Sequence, residues 1–262
     1  MGQQFYPHGV SAGTVNTVFK AKVKMEVLRE LLEVISAIVN EVKLTVNQEG
    51  IDVKAVDTSH VAMLILSLKK TAFEEFSGDS VEIGIDVEKL KGVLRLAKPG
   101  DIIDLSFDSA KGRLVVSVGK LTRHMSVMDV AGISDPKVPS VNPPCKVVIK
   151  TEELRQGIRG SESISDHVTL TLEPDAFIMH SEGENDKVDL KIPKEALTTL
   201  EAKEVAKSMY PLDFFSSMVK SLTSAEEVTM AIGNAYPLKL EFGFANGNGD
   251  GRFLLAPRVE EG

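Results

Sequence analysis

The chain of 262 residues is long enough for one large domain or two of ordinary size, and its 38 acidic against 30 basic residues give a net charge of −8, which argues against a surface that binds nucleic acid all over. Its composition is that of a globular protein in water, and the longest apolar run, residues 61–66, is far shorter than the roughly 20 residues that span a bilayer. The single cysteine, Cys145, excludes an internal disulfide and a cysteine-based zinc cluster, and the first residues lack the cationic start and apolar block of a secretion signal, so we expect an intracellular protein.

The first half of the chain alternates between helical and strand patterns. Residues 26–39 have apolar side chains at the spacing of one helical face, and residues 87–98 repeat this after Asp86, a good N-cap. Between and after these helices, apolar and polar residues alternate strictly, which is typical of antiparallel strands with one face on a core. The clearest of these strands are 42–46, 103–107 and 114–118.

A segment with four prolines, one glycine and no periodicity, residues 129–145, follows and is predicted to be a linker. Beyond it the same order returns. A helix is predicted over 152–161 with Thr151 as its cap, and another over 211–222 with Pro211 in its first turn. Strands are predicted around these helices at 168–172, 188–192, 228–232 and 238–244.

The repeated order of elements predicts an α+β fold of two similar domains, each with antiparallel sheets and two helices. The expected domains are residues 18–128 and 146–262, joined by the linker 129–145. Residues 1–17 lack periodicity and are rich in Gly, Gln and Thr, so we expect an irregular extension there.

Basic residues concentrate on the predicted helices. Lys91, Arg95 and Lys98 follow at steps of three and four on the side opposite the apolar residues, and Arg155 and Arg159 are adjacent on the third helix. Any one of these residues fits an ordinary solvated helix face. Because acidic residues crowd elsewhere, the set predicts a basic helical face on an acidic body. The first helix contributes Arg29 but also Glu30 and Glu33, and the fourth contributes Lys220.

One pair resembles catalytic machinery, Asp57 and His60 in the stretch "AVDTSHVAMLILSL". The alternative is an Asx-type turn whose side chains bond the backbone, and we favour it. The chain has no glycine-rich phosphate loop, no nucleophile elbow and no histidines at a metal-binding spacing. We therefore expect no enzymatic activity, no cofactor and no metal.

Four segments resemble one known family: "AVDTSHVAMLIL" at 55–66, "HMSVMDV" at 124–130, "YPLDFFSSMVKSL" at 210–222 and "FLLAPRVEE" at 253–261. Over about residues 19–261 the chain is similar to the DNA polymerase sliding clamps of the proliferating cell nuclear antigen type. The short tail and linker favour the archaeal type.

This resemblance implies a closed, head-to-tail ring of three subunits whose helices line a channel around double-stranded DNA. Contacts to phosphates, without base readout, suit a ring that must slide. The channel residues implied for this chain are Arg29, Lys91, Arg95, Lys98, Arg155, Arg159 and Lys220.

The resemblance also implies a groove beneath the linker. It would bind a short peptide with a glutamine, an aliphatic residue and two aromatic residues, carried by a DNA polymerase, clamp loader, flap nuclease or DNA ligase. Arg258 and Val259 could pair with the peptide backbone. By position the groove residues are Val56, His60, Val61, Ile133, Val138, Pro139, Pro237, Leu254, Leu255, Ala256, Pro257, Arg258 and Val259.

Ring closure is expected to use unpaired edge strands at 121–127 and 187–191, because a free edge can pair with another chain. The implied interface residues are Leu121, Arg123, Met125, Val127, Val188 and Leu190.

Three alternatives stay open: a subunit of a heterotrimeric or checkpoint-type clamp, an enzyme using Asp57 and His60, and an interaction scaffold that does not encircle DNA. The expected location is the cytoplasm or nucleoid in an archaeon and the nucleus in a eukaryote, without membrane association.

Overall fold

The computed structural model describes residues 17–258, which form two runs of the same elements. The first run is β1 (Thr17–Lys24), α1 (Met25–Ser36), β2 (Glu41–Asn47), β3 (Gly50–Val56), β4 (Ala62–Lys69), β5 (Glu75–Gly78), β6 (Val81–Asp86), α2 (Val87–Leu94), β7 (Ile102–Asp108), β8 (Arg113–Val118) and β9 (Leu121–Ser126). The second is β10 (Cys145–Lys150), α3 (Thr151–Ser161), β11 (His167–Glu173), β12 (Ala176–Glu182), β13 (Lys187–Pro193), β14 (Thr199–Glu201), β15 (Ala206–Pro211), α4 (Leu212–Ser221), β16 (Glu227–Ile232), β17 (Leu238–Phe244) and β18 (Gly249–Leu255). Each half is one strand, a helix, five strands, a helix and three strands, which confirms the predicted repetition.

Three antiparallel sheets hold the strands. The first half has its own sheet, β5-β1-β7-β8-β9, and the second half has β13-β12-β11-β15. The third sheet is built from both halves in the order β14-β10-β16-β17-β18-β4-β3-β2-β6. Its two parts meet where β18 pairs with β4, so the halves are joined by a continuous hydrogen-bonded ladder as well as by the linker. β9 and β13 each remain an edge strand.

The four helices form one layer, in the order α2-α1-α4-α3, over the apolar faces of the sheets. Helix α1 buries Leu31, Leu32 and Ile35 almost completely, and α4 does the same with Phe215. Burying each such side chain stabilises the folded chain by about 1.5–3 kcal/mol. The polar sides of the four helices therefore share one exposed surface. Within residues 17–258, no helix combines the length and apolar character needed to cross a membrane.

The helices end earlier than the sequence pattern predicts. Helix α1 stops at Ser36 and not at 39, where the amide of Ile38 bonds the carbonyl of Ile35 only three residues before it, as in a tighter 3₁₀ turn. Helix α2 stops at Leu94 and not at 98, in the same way, shortly before Pro99. Strand β1 begins at Thr17, inside the predicted irregular extension, while residues 1–16 lie outside the described part of the chain.

The predictions for the helix starts, two caps and one proline in a first turn, are confirmed at one helix and wrong at two. The Asp86 carboxylate accepts the amide hydrogen of Lys89 at 3.0 Å, as an N-cap should. Thr151 is instead the first residue of α3, and its hydroxyl donates to the carbonyl of Ala225 at 2.6 Å. Pro211 precedes α4 and ends β15, so it stands at the N-cap position and not in the first turn.

Glu30 ties the two halves together. It is buried on α1, and its carboxylate accepts hydrogen bonds from the Ser224 hydroxyl and from the Ala245 amide at 3.1 Å, both in the second half. The sequence placed Glu30 among the acidic residues that weaken the basic face of α1. The structure turns its charge away from that face, so it does not oppose Arg29.

Candidate functional site

The exposed surface of the helix layer carries the predicted basic residues, but it presents them unequally. The side chain of Arg95 is 73% exposed and that of Arg159 is 58% exposed, whereas Lys91 is only 23% and Arg155 only 27% exposed. Long charged side chains can cover apolar surface with their stems while their charged ends bind polar groups. The sequence could not separate these two classes, because the difference depends on the neighbouring helix.

Lys91 and Arg155 each connect one helix to the end of the next. The Lys91 ammonium donates to the hydroxyl of Ser36, the last residue of α1, at 2.5 Å. The Arg155 guanidinium donates to the carbonyl of Leu222, directly after α4, at 2.5 Å. A cation at a helix C-terminus is favourable because carbonyl groups there lack helical partners. Both residues therefore have a structural role in the pairs α1–α2 and α3–α4.

Two glutamates lie between these half-buried cations and the exposed arginines. Glu88 is 3.4 Å from both the Lys91 ammonium and an Arg95 Nη atom. Glu152 is 3.4 Å from an Arg155 Nη atom and 2.9 Å from one of Arg159, and the hydrogen bond from Arg159 lowers its pKa. The basic face is thus partly neutralised by its own carboxylates.

Three further predicted channel residues also lie on this surface. Lys220 on α4 pairs with Glu162 at 2.5 Å, and this contact lowers the pKa of Glu162. Arg29 on α1 is exposed, as is Lys98 in the turn after α2. All seven predicted cations therefore belong to the four helices of this layer or to the turn after α2.

The turn between β3 and β4 is organised by the buried carboxylate of Asp57. Its oxygens accept the amide hydrogens of Ser59, Val61 and Ala62, each at 2.7 Å. Burial of the carboxyl opposes its ionisation, but the bonds from these amides outweigh burial and lower its pKa. His60 stands exposed at the tip with φ of 58°, a left-handed conformation that histidine tolerates better than most residues. These contacts match the Asx-type turn, and in the described chain no hydrogen bond joins the Asp57 carboxylate to the His60 ring.

The predicted groove begins on the face of the nine-stranded sheet that points away from the helices, and its two clefts extend to the last residue of α1 and to α4. Cross-strand pairing aligns Val56 of β3, Met63 of β4 and Leu254 of β18 in one row. Val56 also lines an open cleft of about 610 Å³, which Ile133 of the linker lines as well. The structure therefore brings Val56 and Ile133 together, as the resemblance implies.

Two contacts fix the linker at this place. Gly84 on β6 has no side chain, which lets the linker approach so closely that a Cβ there would lie 2.6 Å from the carbonyl oxygen of Met128 and 3.0 Å from Ile133. The Met128 amide in turn bonds the Gly84 carbonyl at 2.8 Å. Further on, Asp135 lies 3.5 Å from the ammonium of Lys43. Ile133 is held between these two anchors.

A second cleft, of about 750 Å³, adjoins the first at the side chain of Phe214, which lines both. Four of the predicted groove residues, Val61, Ala256, Pro257 and Arg258, line this cleft, whose other wall includes residues of α4. The Ala256 amide bonds the Val61 carbonyl at 2.8 Å, which holds the C-terminal segment against β4.

Some predicted groove residues need correction. Leu255 is completely buried in the core, Leu254 is only 6% exposed, and neither residue lines the two clefts. The Arg258 amide already bonds the carbonyl of Met209 at 2.8 Å, so it cannot pair with an incoming strand. His60, Val138 and Pro139 are exposed and Pro237 is half-buried, and none of these four lines either cleft. Val259 lies outside the described residues.

Sequence reasoning missed two members of this surface. Met63 is half-buried in the row between Val56 and Leu254, and Phe214 connects the two clefts. The alternation in β4 could have indicated Met63, because it lies two residues after Val61 and so points to the same face. Nothing in the local pattern of α4 distinguishes Phe214 from the buried Phe215.

The two edge strands present different surfaces. On β9, Leu121 is 44% exposed, but Met125 is buried and so has no surface to offer a partner. An Nη atom of Arg123 lies 3.8 Å from the position that a Cβ would take at Gly92 on α2. Val127 follows the strand and is half-buried.

On β13, Val188 and Leu190 are half-buried beneath α3. A Cβ at Gly160 would lie 3.2 Å from Val188, and one at Gly157 would lie 3.0 Å from Leu190. The exposed part of both side chains borders the open edge of the sheet. The apolar residues of β9 and β13 therefore lie on the helix side of their sheets.

Comparison with known proteins agrees with this architecture. A family model described as the N-terminal domain of proliferating cell nuclear antigen matches residues 18–130. The DNA polymerase sliding clamp of Methanosarcina mazei is 38% identical over 244 residues, which cover 93% of this chain and 99% of that protein. That of Thermoplasma acidophilum is 34% identical over 238 residues, covering 89% and 96%.

Solved structures show the same likeness. The A. fulgidus PCNA in a structure described as "C-terminal region of FEN-1 bound to A. fulgidus PCNA" superposes with a TM-score of 0.87 at 25% identity, covering 93% of this chain and all of that one. The PCNA of Thermococcus kodakaraensis gives 0.83 at 26% identity, covering 92% and 100%. The chain belongs to the proliferating cell nuclear antigen family of DNA polymerase sliding clamps.

Proposed function

We propose that three copies of this chain close into a ring around double-stranded DNA and hold a DNA polymerase, and other replication and repair proteins, on the duplex. The β18–β4 joint inside the chain is the observation that carries this proposal. In this joint an edge strand of the second half, β18, pairs with an edge strand of the first half, β4. The strands at the equivalent positions of the other two sheets, β9 and β13, have no partner on their outer edges within the described chain.

The equivalence follows from the order of strands in the sheets. β9 ends the series β5-β1-β7-β8-β9, just as β18 ends its part of the large sheet after β14-β10-β16-β17. β13 begins the series β13-β12-β11-β15, just as β4 begins its part before β3-β2-β6. A chain that pairs its β9 with β13 of the next chain therefore repeats the internal joint. Such a contact uses a different patch on each of the two partners. Every β9 edge and every β13 edge is therefore paired only if the chains close into a ring.

The internal joint also supplies a register. Corresponding strands of the two halves can be matched residue by residue, because each residue's cross-strand partner is known. In this match Leu121 of the first half occupies the position of Gly251 in the second, and Leu190 of the second half occupies the position of Leu66 in the first. Gly251 is directly opposite Leu66 in the β18–β4 ladder. The equivalent joint between chains places Leu121 opposite Leu190 of the partner subunit.

This joint would continue the helix layer as well as the sheet. Helices α2 and α3 are the two ends of the order α2-α1-α4-α3, and α3 packs on β13. Joining β9 to β13 therefore brings α2 of one chain beside α3 of the next, so all helices face one side. The ring would enclose a channel lined by the exposed cations, which fits sequence-independent contact with phosphates.

DNA retention tests the channel. We expect Arg95→Ala/Arg159→Ala to shorten the products of a clamp-dependent polymerase on primed circular DNA by about an order of magnitude, because phosphate contacts are lost. A matched control is Lys111→Ala/Lys194→Ala, which removes the same charge from exposed turns outside the four helices. If both variants supported the parent's product length, the helical face would not be the DNA-contacting surface.

Partner binding tests the groove. We expect Val56→Asp to weaken binding of a synthetic peptide with a glutamine, an aliphatic residue and two adjacent aromatic residues by at least about tenfold, since a charge would replace an apolar contact. Val205→Asp is the control, because Val205 is an exposed apolar residue in the segment before β15. Titration calorimetry would measure both. Equal affinity of the two variants would contradict this assignment of the groove.

This role asks no chemical step of the chain. The Asp57 carboxylate is held by three backbone amides, and within residues 17–258 no hydrogen bond joins it to the His60 ring, which is the contact that general-base catalysis by this pair would need. An intracellular location, in the compartment that holds the DNA, follows from the proposed role.

A further inference from the structure

Helices α2 and α3 carry the same arrangement of three charges. In each, a glutamate in the first turn is followed three residues later by a half-buried cation and four residues after that by an exposed arginine. The cation is bound to the end of the neighbouring helix, and the glutamate contacts both basic side chains. The two sets are Glu88, Lys91 and Arg95, and Glu152, Arg155 and Arg159.

We propose that Glu88 and Glu152 are internal substitutes for DNA phosphate, which hold Arg95 and Arg159 between phosphate contacts and so lower the friction of the ring on DNA. The inference rests on the proposed function, because it needs a ring that encloses a duplex. It assigns to these two acidic residues a positioning role in sliding. Their charge alone would suggest only that they weaken the attraction between the helical face and DNA.

The geometry favours rapid exchange of partners. The ion pairs of Arg95 and Arg159, at 3.4 and 2.9 Å, lie at the surface, where such pairs are weak and easily broken. A carboxylate and a phosphate oxygen offer the guanidinium the same kind of charge-assisted hydrogen bond. Moving from one to the other therefore changes the free energy little in either direction. An arginine without an internal partner would gain more from each phosphate and leave it more slowly.

The half-buried cations keep the glutamates in place. Lys91 is fixed to Ser36 and Arg155 to Leu222, each at 2.5 Å, so each carboxylate has one constant partner and one that can leave. The hydrogen bond from Arg159 lowers the pKa of Glu152, so this carboxylate is charged at neutral pH and stays charged further into the acid range than an isolated glutamate. When the arginine moves to a phosphate, the glutamate remains neutralised by the fixed cation.

The test is the sliding rate of Glu88→Gln/Glu152→Gln. The full-length protein, fluorescently labelled and loaded by a clamp loader onto stretched DNA, is followed as single rings between about 50 and about 200 mM salt. We expect the double variant to diffuse about threefold to tenfold more slowly than the parent, with a steeper dependence on salt, because more cations are free to bind phosphates. Diffusion at the parent's rate would overturn the proposal.

A charge-matched control separates this effect from a general gain of positive charge. Glu33→Gln/Glu153→Gln removes the same two charges from α1 and α3, and within residues 17–258 neither carboxylate takes part in an ion pair. We expect this variant to slide close to the parent's rate. Equal slowing of both double variants would overturn the proposal, because the loss of any two negative charges would then slow sliding. Loss of rings from closed circular DNA in the parent itself would instead overturn the proposed function.

Discussion

Leu121→Glu is expected to convert the assembled protein to monomers. Light scattering should give about 85 kDa for the parent, three times the 28.4 kDa of one chain, and the mass of one chain for the variant. Leu121 is 44% exposed in a single chain, so the substitution leaves the fold of that chain intact. In the ring, however, the new carboxylate would be buried opposite Leu190 of the partner subunit without a counter-charge, which is costly.

The register, which places Leu121 opposite Leu190 of the partner subunit, allows a sharper test. A positive charge at position 190 should restore trimers that a negative charge at position 121 has disrupted. Leu190→Lys alone should also weaken the ring, because Leu190 packs between α3 and the sheet edge. Its ammonium can reach solvent along a flexible stem, so the monomer should tolerate it. In Leu121→Glu/Leu190→Lys each joint has one carboxylate opposite one ammonium, and we expect trimers to return in part.

The control is Val205→Glu, which places the same charge on an exposed apolar residue that is on neither β9 nor β13. It should keep the parent's mass. A trimeric Leu121→Glu would contradict the β9–β13 joint. Monomeric single variants without any restoration would keep the joint but reject the register. A parent that remains monomeric on its own would indicate a subunit of a heterotrimeric clamp.

The repeated architecture could be read from the sequence because its signals are local. Alternation in segments such as 42–46 reports which residues meet the core, and the spacing in 26–39 reports one buried helical face. The predicted linker followed from its prolines. None of these patterns says which strands become neighbours. The pairing of β18 with β4, which builds the central sheet from both halves, could not be predicted from alternation.

The errors in the candidate site have the same origin. Residues 253–255 are three consecutive apolar residues, so alternation does not tell that Phe253 and Leu255 belong to the core cluster while Leu254, although buried, lies outside it. Helical spacing placed Lys91 and Arg95 on one basic stripe. Their different exposure is set by Ser36 on the neighbouring helix, which only tertiary packing brings within 2.5 Å of Lys91. Residue types and spacing identify a charged face, but they do not distinguish its structural cations from its available ones.

Asp57→Ala is expected to lower the free energy of unfolding by about 2–4 kcal/mol and to abolish peptide binding at the groove. The carboxylate is buried and accepts three amide hydrogens, from Ser59, Val61 and Ala62. Without it these amides lose their acceptor, and the turn that sets Val56 and Val61 on either side of it loosens. Chemical denaturation would measure the stability, and calorimetric titration with the aromatic peptide would measure binding.

The same carboxylate predicts a dependence on pH. Its pKa is lowered on folding, so its contribution is complete above the unfolded value of 3.8 and is lost as the pH falls through the folded pKa. The parent should therefore lose more stability than Asp57→Ala when acidified from neutral pH through this range. Asp129→Ala is the control, because that carboxylate accepts one amide hydrogen, from Ala131 at 3.0 Å, at an exposed site and should cost less than about 1 kcal/mol. Equal losses for the two variants would show that Asp57 does not organise the turn.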